Sequence, residues 1–335
     1  MPSFDYLIVG AGFAGAVCAE RLAAAGRQVL VIDRRAYVGG NAHDEFNDAG
    51  ILCGKHGAHV FHTNSRRVLD YLSQFTEWRS YEHRVLSSVN GQLLPVPINQ
   101  TTLEAFGGDL VAAEKAMIEP YTRKQWGEYA DQLSPIVLAR IKTRETRDDR
   151  YFTDTYQAMP LHGYTRLFER ILDHPNITVQ IETPYEALAA KGHTYGAIIW
   201  SGPIDAFFNH CLGALPYRSA TFIFATFDHG PYQAVGVVNH PSERVPFTRS
   251  IEFKHITGQV HRDTTVAHEY PTAEGEPFWP IPTAANLERY RQYQALARER
   301  RDVYFVGRLG TYKYIDMDIA VAQALALTRR LVGGQ

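Results

Sequence analysis

The tract GAGFAG, Gly10 to Gly15, restricts this chain more than any other, because it lies between an apolar run, FDYLIVG, and a stretch with apolar residues at helical spacing. A strand that enters a glycine turn and leaves as a helix forms the phosphate-binding corner of an α/β sheet. Gly10 permits the tight turn, Gly12 lets main chain approach a pyrophosphate, and Gly15 lets the helix lie close on the strand. The helix is expected from about Ala14 to Ala25, with its amino-terminal N–H groups facing the phosphates and Gly26 as its stop. Phe13 and Ala14 belong to the same corner. A second strand, QVLVID, ends at Asp33, where a carboxylate is placed to accept ribose hydroxyls.

The next tract, RRAYVGGNA, supplies Arg34, Arg35, Gly39, Gly40 and Asn41. An arginine just past the ribose acid and a Gly-Gly pair favour FAD in an extended conformation over NAD. Taken singly, Arg34 also reads as a solvated charge and Gly39-Gly40 as a loop turn. A chain of 335 residues has room for two or three domains and for burying a large cofactor. Lys and Arg number 34 against 36 Asp and Glu, so the formal charge of -2 gives no sign of a nucleic-acid or membrane-surface partner. Cys18, Cys53 and Cys211 have no paired spacing, which argues against a disulfide framework and a zinc site; no metal is expected, and a reducing cytoplasm is. The first residues lead into a strand with no leader segment, and no later run is apolar long enough to span a bilayer, so a soluble, untargeted protein is expected.

Farther along, GAIIWSG (Gly196 to Gly202) and VYFVGRL (Val303 to Leu309) read as late strands of the cofactor domain. The latter delivers GRLGTYKYIDMD, Gly307 to Asp318, to the sheet's carboxyl edge, where ligands of open α/β sheets bind. Leu110, Ala113, Ala116 and Met117 recur at helical spacing in a small helical insertion. From Tyr217 to Pro282, alternating segments such as ATFIFATF and TTVAHEY predict antiparallel sheet. The last helix is expected from Met317 to Val332, with Ile319, Ala322, Leu325 and Ala326 on its buried face and Arg329 and Arg330 complementing its carboxyl-terminal dipole. The expected fold is therefore α/β: a Rossmann-like FAD-binding domain (1–78, 160–212 and 300–335), a small helical insertion with a mobile loop (99–150), and an antiparallel β-sheet substrate domain (79–98 and 213–299).

Three stretches are unusual together: GAHVFHT (Gly57 to Thr63), PYTRKQWG (Pro120 to Gly127) and VPFTRSIEFKH (Val245 to His255). With GAGFAG, GRLGTYKYIDMD, YFTDTYQAMPLHGYT (Tyr151 to Thr165) and SGPIDAFF (Ser201 to Phe208), they make the chain resemble the UDP-galactopyranose mutase family nearly end to end. The resemblance implies interconversion of the pyranose and furanose forms of a nucleotide-linked galactose. In that chemistry N5 of reduced FAD attacks the anomeric carbon, holds the sugar covalently while its ring opens and recloses, and returns it to the diphosphate with no net redox change. It implies that Arg140, from a loop that closes over the substrate, and Arg249 grip the diphosphate. Tyr121 and Trp126 then lie near the nucleotide, Tyr151, Tyr270 and Tyr314 on the phosphate side, and Asn239 near the substrate. His59 and His62 belong to the flavin-side loop, His62 against the isoalloxazine, and Arg308 and Met317 to the cofactor side. Asp316 lies near flavin and sugar.

Asp316 and Asp318 are not expected to be an acid/base pair, since residues two apart do not share a helix face. Asp316 is expected to cap the last helix and Asp318 to be a first-turn charge. The partners implied are a nucleotide-diphosphate sugar and an external reductant, NADPH, NADH or a reductase. Between Asn99 and Tyr121 the chain is shorter than the usual bacterial member, with Met117 and Ile118 where some relatives place aromatics. Base, sugar and oligomeric state therefore stay open. A thymidine-linked or deoxy sugar, an amine-oxidase-like flavin oxidoreductase and a non-catalytic sugar-nucleotide-binding protein are the alternatives.

Overall fold

A computed structural model describes residues 3–138, 143–191 and 194–333. Its first layer is a five-stranded, all-parallel sheet in the order Ile177–Gln180, Val29–Ile32, Ser3–Val9, Thr194–Trp200, Val303–Phe305. Strands covered on both faces must be apolar throughout, and Val29, Leu30, Val31 and Ile32 are fully buried. On one face lie the helices Phe13–Ala24 and Met317–Val332, packed against each other around Ile8, Val17, Leu22 and Val321. The other face buries Leu7, Leu30, Ile198 and Trp200, with Tyr185 and Phe207 packed over them.

The final helix occupies its expected span, but the buried side differs from the pattern reading. Ala320, Val321, Ala324, Leu325 and Thr328 are buried, whereas Ile319 is 45% exposed. Small residues on that stripe let the helix approach the first one closely, and this contact decides the face. VYFVGRL is likewise a strand only to Phe305; Gly307 takes φ +79° and Gly307–Gly310 forms a helical turn. A left-handed residue cannot continue a strand.

The second large sheet has seven strands in the order Trp279–Pro280, Tyr217–Phe227, Thr264–Thr272, Arg249–Glu252, Val237–Asn239, Val85–Val89, Gln92–Val96. It is antiparallel except where Val237–Asn239 runs parallel to Val85–Val89. The hairpin 85–96 arrives from the first half of the chain, so no tight turn dictates its direction against its neighbour. A three-stranded sheet, Phe61–Thr63, Tyr156–Pro160 and Trp78–Ser80, stands beside it.

Short helices, Gln100–Ala105, Leu110–Met117 and Glu119–Trp126, follow in succession. The side chains of Asn99 and Asp109 cap the first two, accepting from the N–H groups of Thr102 and Ala112 at 3.0 Å. Ala113 and Met117 are buried as expected, but Leu110, in the first turn of its helix, is exposed. Among the described residues no helix is long and apolar enough to cross a membrane.

The first helix can sit where it does only because Gly15 lacks a side chain: a Cβ there would lie 1.9 Å from the carbonyl oxygen of Gly10. Main chain cannot swing aside as a side chain can. Gly15→Ala should therefore cost about 1–3 kcal/mol or more of stability, as overpacking does, read as a lowered thermal midpoint of the apoprotein. An unchanged midpoint would show that the helix rests elsewhere.

Candidate functional site

Close main-chain approaches at the carboxyl edge of the parallel sheet leave a cavity of about 720 Å³. Gly10 takes φ +103°, and a Cβ on it would collide with Ser201 Oγ at 2.1 Å. Gly40 takes φ +57° and backs onto Gly12, whose Cα lies 3.1 Å from where the Gly40 Cβ would be. With no side chains at these points, main chain forms the wall. Gly10, Gly12, Phe13, Ala14, Asp33, Arg34, Gly40, Asn41, His59, Arg308, Asp316 and Met317 all line the cavity. Gly15 does not; it faces the strand.

Asp33 is held by main chain, Oδ2 accepting from Ala11 N–H and Oδ1 from Arg35 N–H, both at 2.9 Å. Each oxygen keeps a second lone pair. Arg34 is 54% exposed and pairs with Glu276 at 3.3 Å. The guanidinium of Arg35 donates to the same carboxylate and, at 2.9 Å, to Asn41 Oδ1. Glu276, brought from a distant loop, was not legible as a neighbour of this corner.

A second group of side chains lies on one face of the seven-stranded sheet. Asn239 pairs in register with Arg249, and Arg249 with Glu269, so alternation directs all three to that face. Arg249 Nη2 donates to Glu269 Oε1 at 2.7 Å, and Gln125 Nε2, from the helix Glu119–Trp126, donates to the same oxygen at 3.1 Å. Burial works against the charge on Arg249, but the carboxylate of Glu269, with Tyr121 and Tyr314 nearby, outweighs it and raises its pKa. Burial holds the Tyr121 phenol well above the usual tyrosine range, with Arg249 pulling the other way and Glu269, Tyr151 and Tyr314 reinforcing it. Tyr121, Tyr314 and Asn239 thus lie around Arg249 and its carboxylate partner, with Tyr151 beside Tyr121. Three buried polar atoms in this group, Arg249 Nε, Gln125 Oε1 and Asn239 Oδ1, have no hydrogen-bond partner among the described residues. Buried polar atoms are normally satisfied, so this face is shaped for a polar guest.

Two expected substrate residues are placed differently. Trp126 is buried in a core with Trp279 and Phe278, meeting Tyr314 edge-on at 4.9 Å. Tyr270 follows Glu269 in its strand and so projects to the opposite face, edge-on to Phe247 at 5.9 Å. Arg140 lies outside the described residues.

Between cavity and cluster stands His62. Its Nδ1 is 2.9 Å from Asp154 Oδ2, its Nε2 3.8 Å from Asp316 Oδ2, and its ring stacks on Phe152 at 3.6 Å. Asp316 occupies the position before the last helix, yet its side chain makes no capping bond; the carboxylate turns toward His62 instead. Asp318, in the first turn, does more than complement the dipole, since Oδ2 accepts from Thr63 Oγ1 at 2.8 Å. Arg308 Nε donates to Ile315 O at 2.9 Å and its guanidinium lies over Tyr314 at 5.3 Å. His59, on the cavity wall, is pushed down to about 4 by burial and then by the guanidinium groups of Arg308 and Arg249. Asp154, Glu269 and Gln125 were not singled out from sequence, because only tertiary pairing brings them here. Among the described residues no group of three or more His, Cys, Asp or Glu is placed to hold a metal ion.

Similarity to known proteins bears on the family and the fold. Residues 116–314 match the UDP-galactopyranose mutase family and residues 8–75 an NAD(P)-binding Rossmann-like domain. A probable UDP-galactopyranose mutase of Klebsiella pneumoniae is 35% identical over 363 aligned positions, covering 97% of this chain and 94% of that one. That alignment is longer than the 335-residue chain, so the relative carries segments that this chain lacks. A dTDP-fucopyranose mutase of Escherichia coli is 29% identical, covering 95% and 96%. The fold is shared with a crystal structure of reduced UDP-galactopyranose mutase (TM-score 0.81, 14% identity, 99% and 96% covered) and, more loosely, with a putrescine oxidase variant (TM-score 0.64, 12% identity, 99% of each chain covered). Near-complete coverage at this identity, together with a family match spanning most of the chain, makes it a member of the UDP-galactopyranose mutase family.

Proposed function

We propose that the chain is a flavin-dependent nucleotide-sugar mutase that interconverts pyranose and furanose forms, with UDP-galactose as the leading substrate. The observation that carries the reading is the Arg249 cluster: a guanidinium held by Glu269, whose own Nε and the neighbouring Gln125 Oε1 and Asn239 Oδ1 lack partners among the described residues, with Tyr121 and Tyr314 beside it. A planar fork fixed on one side presents its remaining N–H groups to phosphate oxygens bidentately. Membership of a mutase family supports the same class.

The cavity residues fit FAD. The Gly10–Gly12–Gly40 wall admits a pyrophosphate against main chain, Asp33 retains acceptors for ribose, and about 720 Å³ is within the range of cofactor sites. When bound and reduced, the flavin supplies the nucleophilic nitrogen for the anomeric carbon. NADPH, NADH or a reductase would provide the electrons. The chain's own residues supply placement and charge control. Glu269 and Gln125 fix Arg249, so the departing diphosphate stays within reach of the sugar. Asp154 accepts a hydrogen bond from His62 Nδ1–H, which leaves Nε2 toward Asp316, while Phe152 covers one face of the imidazole and keeps water from it. Arg140 is assigned the second grip on the diphosphate.

The E. coli dTDP-fucopyranose mutase, matched almost end to end, supports a second substrate reading within the same chemistry. Incubating dithionite-reduced protein with a panel of nucleotide-linked sugars, and separating pyranose from furanose products, tests both readings. Turnover of UDP-galactose supports the first, turnover of a thymidine-linked deoxy sugar alone supports the second, and no product from any member rejects mutase activity.

Three variants separate the roles. Gly12→Ala should fold, because its Cβ would sit at an ordinary 3.6 Å from Gly40 Cα, yet it should lose bound flavin, read as lost yellow absorbance; full flavin content would move the pyrophosphate elsewhere. Arg249→Ala should lower kcat/KM by about 2–5 kcal/mol, the usual cost of truncating a buried charged partner, and near-normal turnover would remove Arg249 from the site. Arg140→Ala should impair turnover and keep its flavin; flavin loss would instead assign Arg140 to the cofactor or to folding.

A further inference from the structure

Behind the Arg249 cluster lies a contact that the proposed chemistry does not use. Lys124, on the helix Glu119–Trp126, directs Nζ at four main-chain carbonyls: His240 (2.6 Å), Ser242 (3.1 Å), Val245 (2.8 Å) and Phe247 (2.8 Å). An ammonium has only three protons, so the four dipoles converge on the charge itself. The carbonyls belong to the segment that leaves the sheet after Asn239 and re-enters it at Arg249, two members of the proposed phosphate site. Lys124 has no carboxylate within ion-pair distance among the described residues. Glu243, in the same segment, pairs with Arg123 at 3.2 Å.

The same helix reaches the cluster by a second arm, Gln125 to Glu269 to Arg249. Its own end is secured by Arg218, which donates to the carbonyls of Gln125 at 3.1 Å and Lys124 at 3.2 Å. The helix is thus anchored, and Lys124 ties the loop to it. Oxygen cages of main-chain carbonyls are also what replaces the hydration shell of a free potassium ion.

We infer that Lys124 is a positioning residue for Arg249: its ammonium is a tethered cation in a carbonyl cage, and a truncated side chain leaves a cage that takes a free monovalent cation. The consequence for phosphate affinity rests on the reading of Arg249 given above. Removing the charge should loosen the 240–247 segment and misplace the guanidinium without touching the flavin site.

The test uses the flavin-loaded enzyme and its Lys124→Ala and Lys124→Met variants. UDP and dTDP binding is measured by calorimetry in potassium, ammonium, lithium or choline chloride at equal ionic strength. Wild type should respond equally to all four salts. Lys124→Ala should bind the nucleoside diphosphate at least tenfold more weakly in lithium or choline and recover in ammonium or potassium, with flavin content unchanged. Lys124→Met, whose thioether chain fills the space without charge, should stay weak in every salt. Wild-type affinity in Lys124→Ala, or a loss indifferent to the cation, overturns the proposal. If the alanine variant folds poorly, refolding yield becomes the readout: recovery in ammonium supports the cage and equal failure in all salts rejects it. If wild type binds neither nucleotide, the phosphate reading of Arg249 falls, and a potassium- or ammonium-specific rise in the Lys124→Ala thermal midpoint then decides the cage alone.

Discussion

One main-chain contact, the carbonyl of Gly10 against Gly15, sets where the first helix lies, and much of the molecule is placed from there. The last helix packs on the first, so the position of Asp316 at its start follows from the same contact. Gly307 repeats the device, since a Cβ on it would lie 2.9 Å from Ala14 Cβ. Two residues without side chains thereby decide how near the segment Gly307–Asp318 comes to the cofactor corner. The seam between cavity and cluster is a packing result before it is a chemical one.

The second half of the site depends on strand register instead. Asn239, Arg249 and Glu269 meet because three strands, far apart in the chain, pair with those residues side by side. A slip of one residue would send the guanidinium to the other face. Glu269, buried at 2% exposure, would be costly if alone, and the pairing with Arg249 and Gln125 compensates it. On the proposed reading, a charge kept ready for phosphate brings with it a second charge that has no task toward the ligand.

What was legible in the sequence was whatever is encoded locally. The glycine corner, its flanking strand and helix, the acid at Asp33 and the bounds of the last helix all follow from spacing within a few dozen residues, and the structure has them there. The buried face of that last helix is not legible from the pattern, because close approach to the first helix favours Ala320, Val321 and Ala324 over the bulkier Ile319. The position of Asp316 is the capping one, and only tertiary structure brings His62 within reach of its carboxylate instead. Asp154, Gln125 and Glu269 carry no local signature, and motif order says nothing about sheet face, so the projection of Tyr270 away from the Arg249 face is not legible either.

Lys124 grips atoms that every residue type possesses. On the inference drawn above, a loop held through its carbonyls depends less on the side chains it carries, and beyond the exposed pair of Glu243 with Arg123 its outward positions can change while Arg249 stays where it is. Such a grip would uncouple the identity of a surface segment from its geometry: substitutions that alter what the loop meets outside need not disturb what it holds in place inside.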